Sequence, residues 1–504
     1  MREAPAWIGG ALLAAALVAS GPAAAARYDL VIANGRVMDP ESGLDAVRNV
    51  GIRDGRIAEI SKRRLDGAET LDARGLVVAP GFIDLHAHGQ DAHAAGLQAR
   101  DGVTTQLEME IGVYPVAAWY ASREGRAPIN FGATVAHEGV RIRLKHGIEM
   151  AYESSTERRE HMPARPAAWA DEAATAEEVD RLLAMLEEGL DEGALGIGFG
   201  LAYTPAARRE EIWRCFALAA RRQVPVFVHV RSSGHIEPGS TMEAMQEVIA
   251  NAATTGASLQ IVHIGSSGRD QVPAVLEMIK GAQRSDLDVT TEVYPWGAAH
   301  TAIGAAIFDG DWRARAGADY GDLEWVATGE RLTAESFARY RREQPKGGVV
   351  AHIIPEDMVR LAVADPIVMI ASDGGSFREG RAHPRGAGTF ARVLGHYSRD
   401  LKLLPLMEAL RKMTLMPAAR LEAALPQMRN KGRIRVGADA DLTIFDADRV
   451  IDRATYADPD QPSAGIVHVL VGGRFVVRDE TLLEGVYAGQ PVRRPARAAA
   501  ARNR

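Results

Sequence analysis

Two histidines one residue apart close an apolar stretch early in the chain, Gly81-Phe82-Ile83-Asp84-Leu85-His86-Ala87-His88. Side chains two positions apart on a strand share a face, so His86 and His88 present two imidazoles together. Neutral imidazoles are ligands for borderline divalent ions such as zinc. Alone, such a pair reads as two core or surface histidines. Three further apolar runs end in groups of matching chemistry: Val226-Phe227-Val228-His229, Leu259-Gln260-Ile261-Val262-His263, and Val368-Met369-Ile370-Ala371-Ser372-Asp373-Gly374. Any one of these is most simply a satisfied core residue. Four histidines and a carboxylate, each closing an apolar run, point instead to a metal centre shared by several strands.

Residues this far apart in sequence converge only if the strands that carry them end at one place. Short apolar runs lie near 79–86, 102–110, 130–137, 194–200, 224–230, 258–264, 287–294 and 367–373. Helical patterns separate several of them, at 176–190 (behind Thr175, with Glu178 completing a capping box), 208–222, 240–255, 270–283 and 355–364. Eight strands alternating with helices predict an α/β fold, a (β/α)8 barrel over 79–430 whose strand ends open onto one mouth. Residues 27–78 alternate apolar and polar positions, with Asn34-Gly35 and Asp54-Gly55 as turn signals, and 431–490 repeat that texture. These two β-rich ends predict a small β-sandwich built from both termini. A stretch at about 296–348 breaks the rhythm between strands seven and eight and carries Trp312, Tyr320, Trp325 and Tyr340; it reads as an insertion suited to a lid. The Arg-rich end, 491–504, reads as a disordered basic tail.

The chain has 504 residues, 47% apolar and 25% charged, with a formal net charge of −7. That is room for a large domain and a satellite, and the charge argues against a nucleic-acid binder. Met1 and Arg2 precede an apolar run at 6–20, which leads through Gly21-Pro22 to Ala23-Ala24-Ala25-Ala26. This is the pattern of a signal peptide over 1–26, and predicts an exported protein, periplasmic or secreted, with no stable membrane insertion after cleavage. Cys215 is the single cysteine. It stands in a helical pattern and reads as a buried thiol, so stability must come from packing.

With these residues in place, the chain resembles the amidohydrolase superfamily and, within it, the D-aminoacylase (N-acyl-D-amino-acid deacylase) branch. The similarity includes Gly81–His88, Gly102-Val103-Thr104-Thr105, Gly200-Leu201-Ala202-Tyr203-Thr204-Pro205, Tyr294-Pro295, Ser372-Asp373-Gly374, and His383-Pro384-Arg385 ahead of Gly388-Thr389-Phe390. The resemblance implies that His86 and His88 serve one metal position and His229 and His263 a second, with zinc as the metal and one or two divalent ions bound. It implies that Asp373 is the catalytic carboxylate, that Arg385 holds a substrate α-carboxylate, and that Tyr203 and Tyr294 line the pocket. Three departures stand out. Lys145 is the only Lys between strands two and five and falls in a polar stretch, so it is not expected to bridge metals as a carboxylated Lys. The Cys that the branch carries near the end of strand two is absent, and Gln106-Leu107-Glu108-Met109-Glu110 offers two carboxylates on one strand face instead. Glu110, nearer the strand end, is the expected ligand or bridge, with Glu108 the second candidate. A Lys that relatives carry just after the sixth-strand His is replaced by Ile264–Gly268, where Ser266 or Ser267 stands.

The implied activity is metal-dependent hydrolysis of the amide bond of an N-acyl-D-amino acid, a small-molecule substrate, with Asp373 first a general base and then a general acid. Two other readings fit the residues: a cyclic-amide or dipeptide hydrolase of the same superfamily, and a catalytically inactive barrel used for binding. His235, His300 and His383 stand near site segments and are candidates for ligand contact, whereas His137 is expected to make a structural hydrogen bond. The oligomeric state is left open.

Overall fold

In a computed structural model, eight parallel strands follow one another around a barrel in chain order: Phe82–Asp84, Val103–Val113, Asn130–Ala136, Ile197–Gly200, Val226–His229, Leu259–Ile261, Val289–Val293 and Val368–Ile370. The structure describes Met1 and residues 27–150 and 155–496. The predicted signal peptide, past Met1, and residues 497–504 of the predicted tail lie outside the described residues. All eight expected strands are present. Each is buried on both faces, which is why they read as continuous apolar runs. Phe227 points inward with Ile83, Leu107, Val262 and Met369 to fill the barrel, while Val226 and Val228 face the surrounding helices. The helices Ala176–Asp191 and Thr241–Thr255 both open with capping boxes, from Thr175 and Glu178 and from Ser240 and Glu243. Cys215 is buried in Arg209–Arg222, as expected. Among the described residues no helix is long and apolar enough to cross a membrane.

The ring is closed by the segments just beyond strands one and eight. Ala87 bridges Gly374 in parallel, the Asp373 N–H donates to the His86 carbonyl at 2.8 Å, and the His88 N–H donates to the Gly374 carbonyl at 2.8 Å.

The two chain ends share one nine-stranded sheet. They meet where Val77–Pro80 pairs antiparallel with Leu442–Phe445. Leu30, Ile32, Val50 and Ile52 from one end and Ala440, Leu442, Ile444 and Leu470 from the other form a single apolar core, so the sheet's arms close over shared contents. Asp54-Gly55 makes the expected hairpin turn, with both residues at positive φ. Asn34-Gly35 does not. It forms a bulge inside the long strand Tyr28–Asp39, where a Cβ on Gly35 would lie 2.5 Å from Val78 Cγ2. The glycine serves close packing against the neighbouring strand rather than a reversal of the chain.

Between strands seven and eight stands a separate antiparallel sheet of Ala299–Ala302, Leu323–Trp325, Glu330–Arg331 and Gly348–Ala351. It has its own core of Ile303, Phe308, Trp312, Leu323, Trp325 and Phe337. The insertion runs past the expected limit of 348, because Gly348–Ala351 pairs with its first strand.

The predicted tail is also corrected at its start. Val492 is buried beneath the barrel with Leu421, Leu425 and Met428; its N–H donates to Phe131 at 2.7 Å and its carbonyl accepts from the Tyr120 hydroxyl at 2.8 Å. The apolar side chain and pairing along the third strand anchor residues whose basic neighbours suggested a solvated end.

Candidate active site

Strand two is the longest in the barrel and owes its length to an irregularity. Its pairing with strand three runs evenly to Glu108↔Ala133 and resumes at Val113↔Val135, five steps on one side against two on the other. The surplus backbone bulges over the mouth and carries Glu110 into its centre. Gly112 supports it at φ +72°, and the Thr134 hydroxyl donates to the Met109 carbonyl at 2.9 Å. Strand four makes room with Gly198, where a Cβ would collide with the carbonyls of Glu110 and Met109. The flat strand expected from alternation is therefore broken, and Glu108 and Glu110 take different roles.

Glu110 lies between two pairs of imidazoles. Its Oε2 is 3.1 Å from His86 Nε2 and 3.0 Å from His88 Nε2, and its Oε1 is 2.8 Å from both His229 Nδ1 and His263 Nε2. Asp373 joins the first pair, with Oδ1 3.4 Å from His86 Nε2 and 3.3 Å from His88 Nε2. The two Nε2 atoms of that pair are 3.1 Å apart, and the facing nitrogens of His229 and His263 are 2.9 Å apart. Nitrogen and carboxylate lone pairs aimed at one another repel unless a proton or a cation stands among them. Two groups, His86, His88, Glu110 and Asp373, and Glu110, His229 and His263, gather the nitrogen and oxygen donors that a divalent ion such as zinc requires. The residues fit a metal centre of one or two ions with Glu110 common to both positions.

The remaining ring nitrogens of His86, His88 and His263 are held from behind. His86 Nδ1 meets Glu292 Oε1 at 2.6 Å, and Glu292 in turn accepts from Gln260 at 3.0 Å. His88 Nδ1 meets Glu108 Oε2 at 2.7 Å, and the other Glu108 oxygen accepts the Ile111 and Gly112 N–H groups. His263 Nδ1 faces the Ser267 hydroxyl at 3.1 Å. These bonds turn the opposite nitrogen of each ring toward the centre. Glu108 thus supports a histidine and folds its own bulge. Asp84 ties the two barrel ends together: it accepts from the N–H groups of His86 and Ser372 at 3.0 Å each.

Electrostatics follow from this crowding. Burial opposes a charged His86, but Asp373 and Glu110 outweigh it and raise its pKa well above the ordinary value; Glu108, Asp373 and Glu110 do the same for His88. Burial works against the Glu110 carboxylate, yet His86, His229 and His263 hold it well below its usual range. Burial likewise opposes ionised Asp373, and Arg385, foremost among the opposing charges, keeps it an anion. The Arg385 guanidinium is 2.8 Å from Asp373 Oδ1 and sits over the Tyr294 ring at 4.5 Å. Its Nε and Nη1, though buried, make no hydrogen bond.

A cavity of about 310 Å³ opens above the cluster, lined by Tyr203, Tyr294, His300, Arg385 and the Ile307 and Phe308 side chains of the insertion. Every expected site residue, His86, His88, Glu110, His229, His263, Asp373, Arg385, Tyr203 and Tyr294, borders it or the cluster beneath. The Tyr203 ring packs 5.0 Å from His229, and burial raises its pKa, so the phenol stays protonated. Ser266 also faces the cavity. Other candidates fall away. His137 pairs with Glu211 at 2.8 Å, the structural bond expected of it. His383 is engaged by the Ala298 carbonyl and the Arg385 N–H, and Lys145 pairs with Glu178 at 2.9 Å, away from the donors. Glu292 was missed. Its only signal was a lone carboxylate in the apolar run of strand seven.

Residues 69–477 match the amidohydrolase family. The chain is 30% identical over 489 residues to the N-acyl-D-glutamate deacylase of Alcaligenes xylosoxydans xylosoxydans, covering 89% of this chain and 93% of that one. It is 31% identical over 506 residues to the D-aminoacylase of the same organism, covering 93% and 98%. Among solved structures it superposes on the Bordetella bronchiseptica N-acyl-D-glutamate deacylase, complexed with zinc and a phosphonate mimic of the tetrahedral intermediate. The TM-score is 0.76 at 27% identity, over 92% of this chain and 99% of that one. A D-aminoacylase with a binuclear metal center gives a TM-score of 0.76 at 26% identity, over 93% and 100%.

Proposed function

The chain belongs to the amidohydrolase family, and from that premise we propose that it is a zinc-dependent hydrolase that removes the acyl group from N-acyl-D-amino acids. The relatives reported above support the reaction class. The observation that carries the substrate is Arg385, a buried guanidinium with two free nitrogens bordering the same cavity as Asp373. It is a receptor for a carboxylate beside a centre that cleaves amides.

His86, His88, Glu110 and Asp373 would hold one ion, and Glu110, His229 and His263 another. Bound zinc supplies Lewis acidity, bringing a water's pKa toward neutrality and polarising the acyl carbonyl. The protein's own groups do the rest. Arg385 binds the substrate α-carboxylate through a nitrogen that Asp373 leaves free and fixes which face of the amide meets the centre. Asp373, kept ionised by the same guanidinium, accepts the proton of the water that attacks the carbonyl carbon. That proton then passes from the Asp373 carboxyl to the amide nitrogen, and the C–N bond breaks to give a carboxylic acid and a D-amino acid. Tyr203, protonated at neutral pH, adds a hydrogen-bond donor to the cavity wall where charge grows on the carbonyl oxygen.

The test is amine release from paired N-acetyl-D- and N-acetyl-L-amino acids by zinc-loaded protein, with and without chelator. Turnover of the D series alone, lost on chelation, is expected. Silence on the whole panel with zinc bound would overturn the open-chain substrate and bring cyclic amides and dipeptides forward. The N-terminal composition supports export with cleavage after residue 26. The N-terminal sequence of mature protein from the native host checks this, and retention of Met1 would refute it.

A further inference from the structure

The cavity holds a second cation that the reaction does not use. Helix Ser155–His161 brings Arg158 and Arg159 to its wall. Arg158 is spoken for, donating to Glu138 at 2.5 Å. Arg159 meets no carboxylate and no hydrogen-bond acceptor among the described residues. The nearest acid in sequence, Glu160, is engaged by Arg378 at 3.2 Å, and its carbonyl accepts from Lys346 at 2.6 Å. Lys346 adds its own charge to the cavity lining.

This cation is also partly withdrawn from water. Burial, with Arg158 beside it, pulls the Arg159 pKa down. Burial keeps His300 neutral, and both Arg159 and Arg385 act on it in the same direction, so His300 feels both of these guanidiniums. A half-buried guanidinium without a partner has lost part of its hydration, and an anion that pairs with it offsets that loss. Arg385 already accounts for one carboxylate.

Building on the deacylase reading, we propose that Arg159 is a specificity-determining residue that binds a second carboxylate of the substrate, so that the preferred N-acyl-D-amino acid is a dianion. The second carboxylate can belong to the amino-acid side chain or to the far end of the acyl group; the bidentate fork suits either.

Three substrates separate these sources: N-acetyl-D-glutamate, N-succinyl-D-leucine and the monoanion N-acetyl-D-leucine, each assayed with zinc-loaded wild type, Arg159→Gln and Arg159→Lys. One dianion is expected to exceed N-acetyl-D-leucine in kcat/KM, and which one identifies the source. In Arg159→Gln that ratio should fall about 10- to 100-fold, chiefly through KM, the range for a charged hydrogen bond, with Arg159→Lys between the two. A ratio unmoved by Arg159→Gln for both dianions overturns the proposal. Calorimetry with glutarate and butyrate reads the site without turnover. Wild type should bind glutarate more tightly and Arg159→Gln should bind the two alike, while equal binding in wild type overturns the site. A glutarate preference that Arg159→Gln removes, in a protein that releases no amine from any of the three substrates, would support the anion site while refuting the deacylase reading.

Discussion

Replacing Gly198 with Ala tests whether the strand-two bulge, and not merely the identity of its residues, builds the metal centre. A Cβ at this position would stand 2.5 Å from Thr134 Oγ1 and 2.8 Å from the Met109 carbonyl, and closer still to the Glu110 carbonyl. An ordinary contact needs about 3.4 Å or more, and two of these three neighbours are backbone, so the bulge must move by roughly 1 Å. Overpacking of this kind costs about 1–3 kcal/mol of stability. The larger effect falls on Glu110, whose two oxygens reach four imidazoles at 2.8–3.1 Å. A displacement of about 1 Å in a catalytic constellation lowers turnover on the order of 100-fold. Gly196→Ala is the control: its Cβ would collide with the Pro225 carbonyl, away from the donors. Both variants should melt below wild type as apoproteins. Only Gly198→Ala should also lose bound zinc, measured by metal analysis after gel filtration, and lose the rise in melting temperature that zinc gives wild type. Wild-type zinc content and activity in Gly198→Ala would refute the account of the bulge.

Asp373→Asn should reduce kcat by about 1,000-fold or more while zinc is retained, because the isosteric amide keeps an oxygen donor but cannot carry the proton; near-normal kcat would remove Asp373 from the mechanism. Glu292→Gln should weaken zinc binding about 10- to 100-fold by loosening His86 from behind, read by competition with a chromophoric chelator, and an unchanged affinity would refute the supporting role. Glu211 is expected to dominate acid sensitivity away from the centre: burial opposes its charge, but His137 and Arg141 outweigh it and lower its pKa from 4.5 to about 2. At 1.36 kcal/mol per pH unit that gap contributes about 3 kcal/mol of stability. This contribution is complete above about pH 4.5 and is lost as pH falls toward 2. Urea unfolding of Glu211→Gln should therefore differ from wild type at pH 7 and converge with it in acid.

The barrel was legible because parallel strands buried on both faces leave continuous apolar runs, and His86, His88, His229, His263 and Asp373 each terminate one. Glu110 was legible as a carboxylate standing where relatives carry a Cys. What strict alternation could not convey is that Glu108 and Glu110 do different work, since the bulge depends on Gly112, Thr134 and Gly198, contributed by three strands. Glu292 was hidden for a related reason: a buried carboxylate is recognisable only once its partner, His86, is brought beside it. Asn34-Gly35 read as a turn because local signals do not report a neighbouring strand pressed against the glycine. Val492 read as tail because basic residues surround a single apolar anchor.

The docking of Val492 has a consequence for the order in which the molecule can be finished. The floor of the barrel is sealed by almost the last described residues, and Val77–Pro80, paired on one side with Tyr28–Asp39, gains its second sheet neighbour in Leu442–Phe445. A chain emerging from the ribosome therefore exposes an unsealed barrel until Val492 has been made, and a strand open along one edge until Leu442–Phe445 has been made. The barrel floor stays open for the more than four hundred residues between strand one and Val492, so a nascent chain offers chaperones a long window in which to hold it.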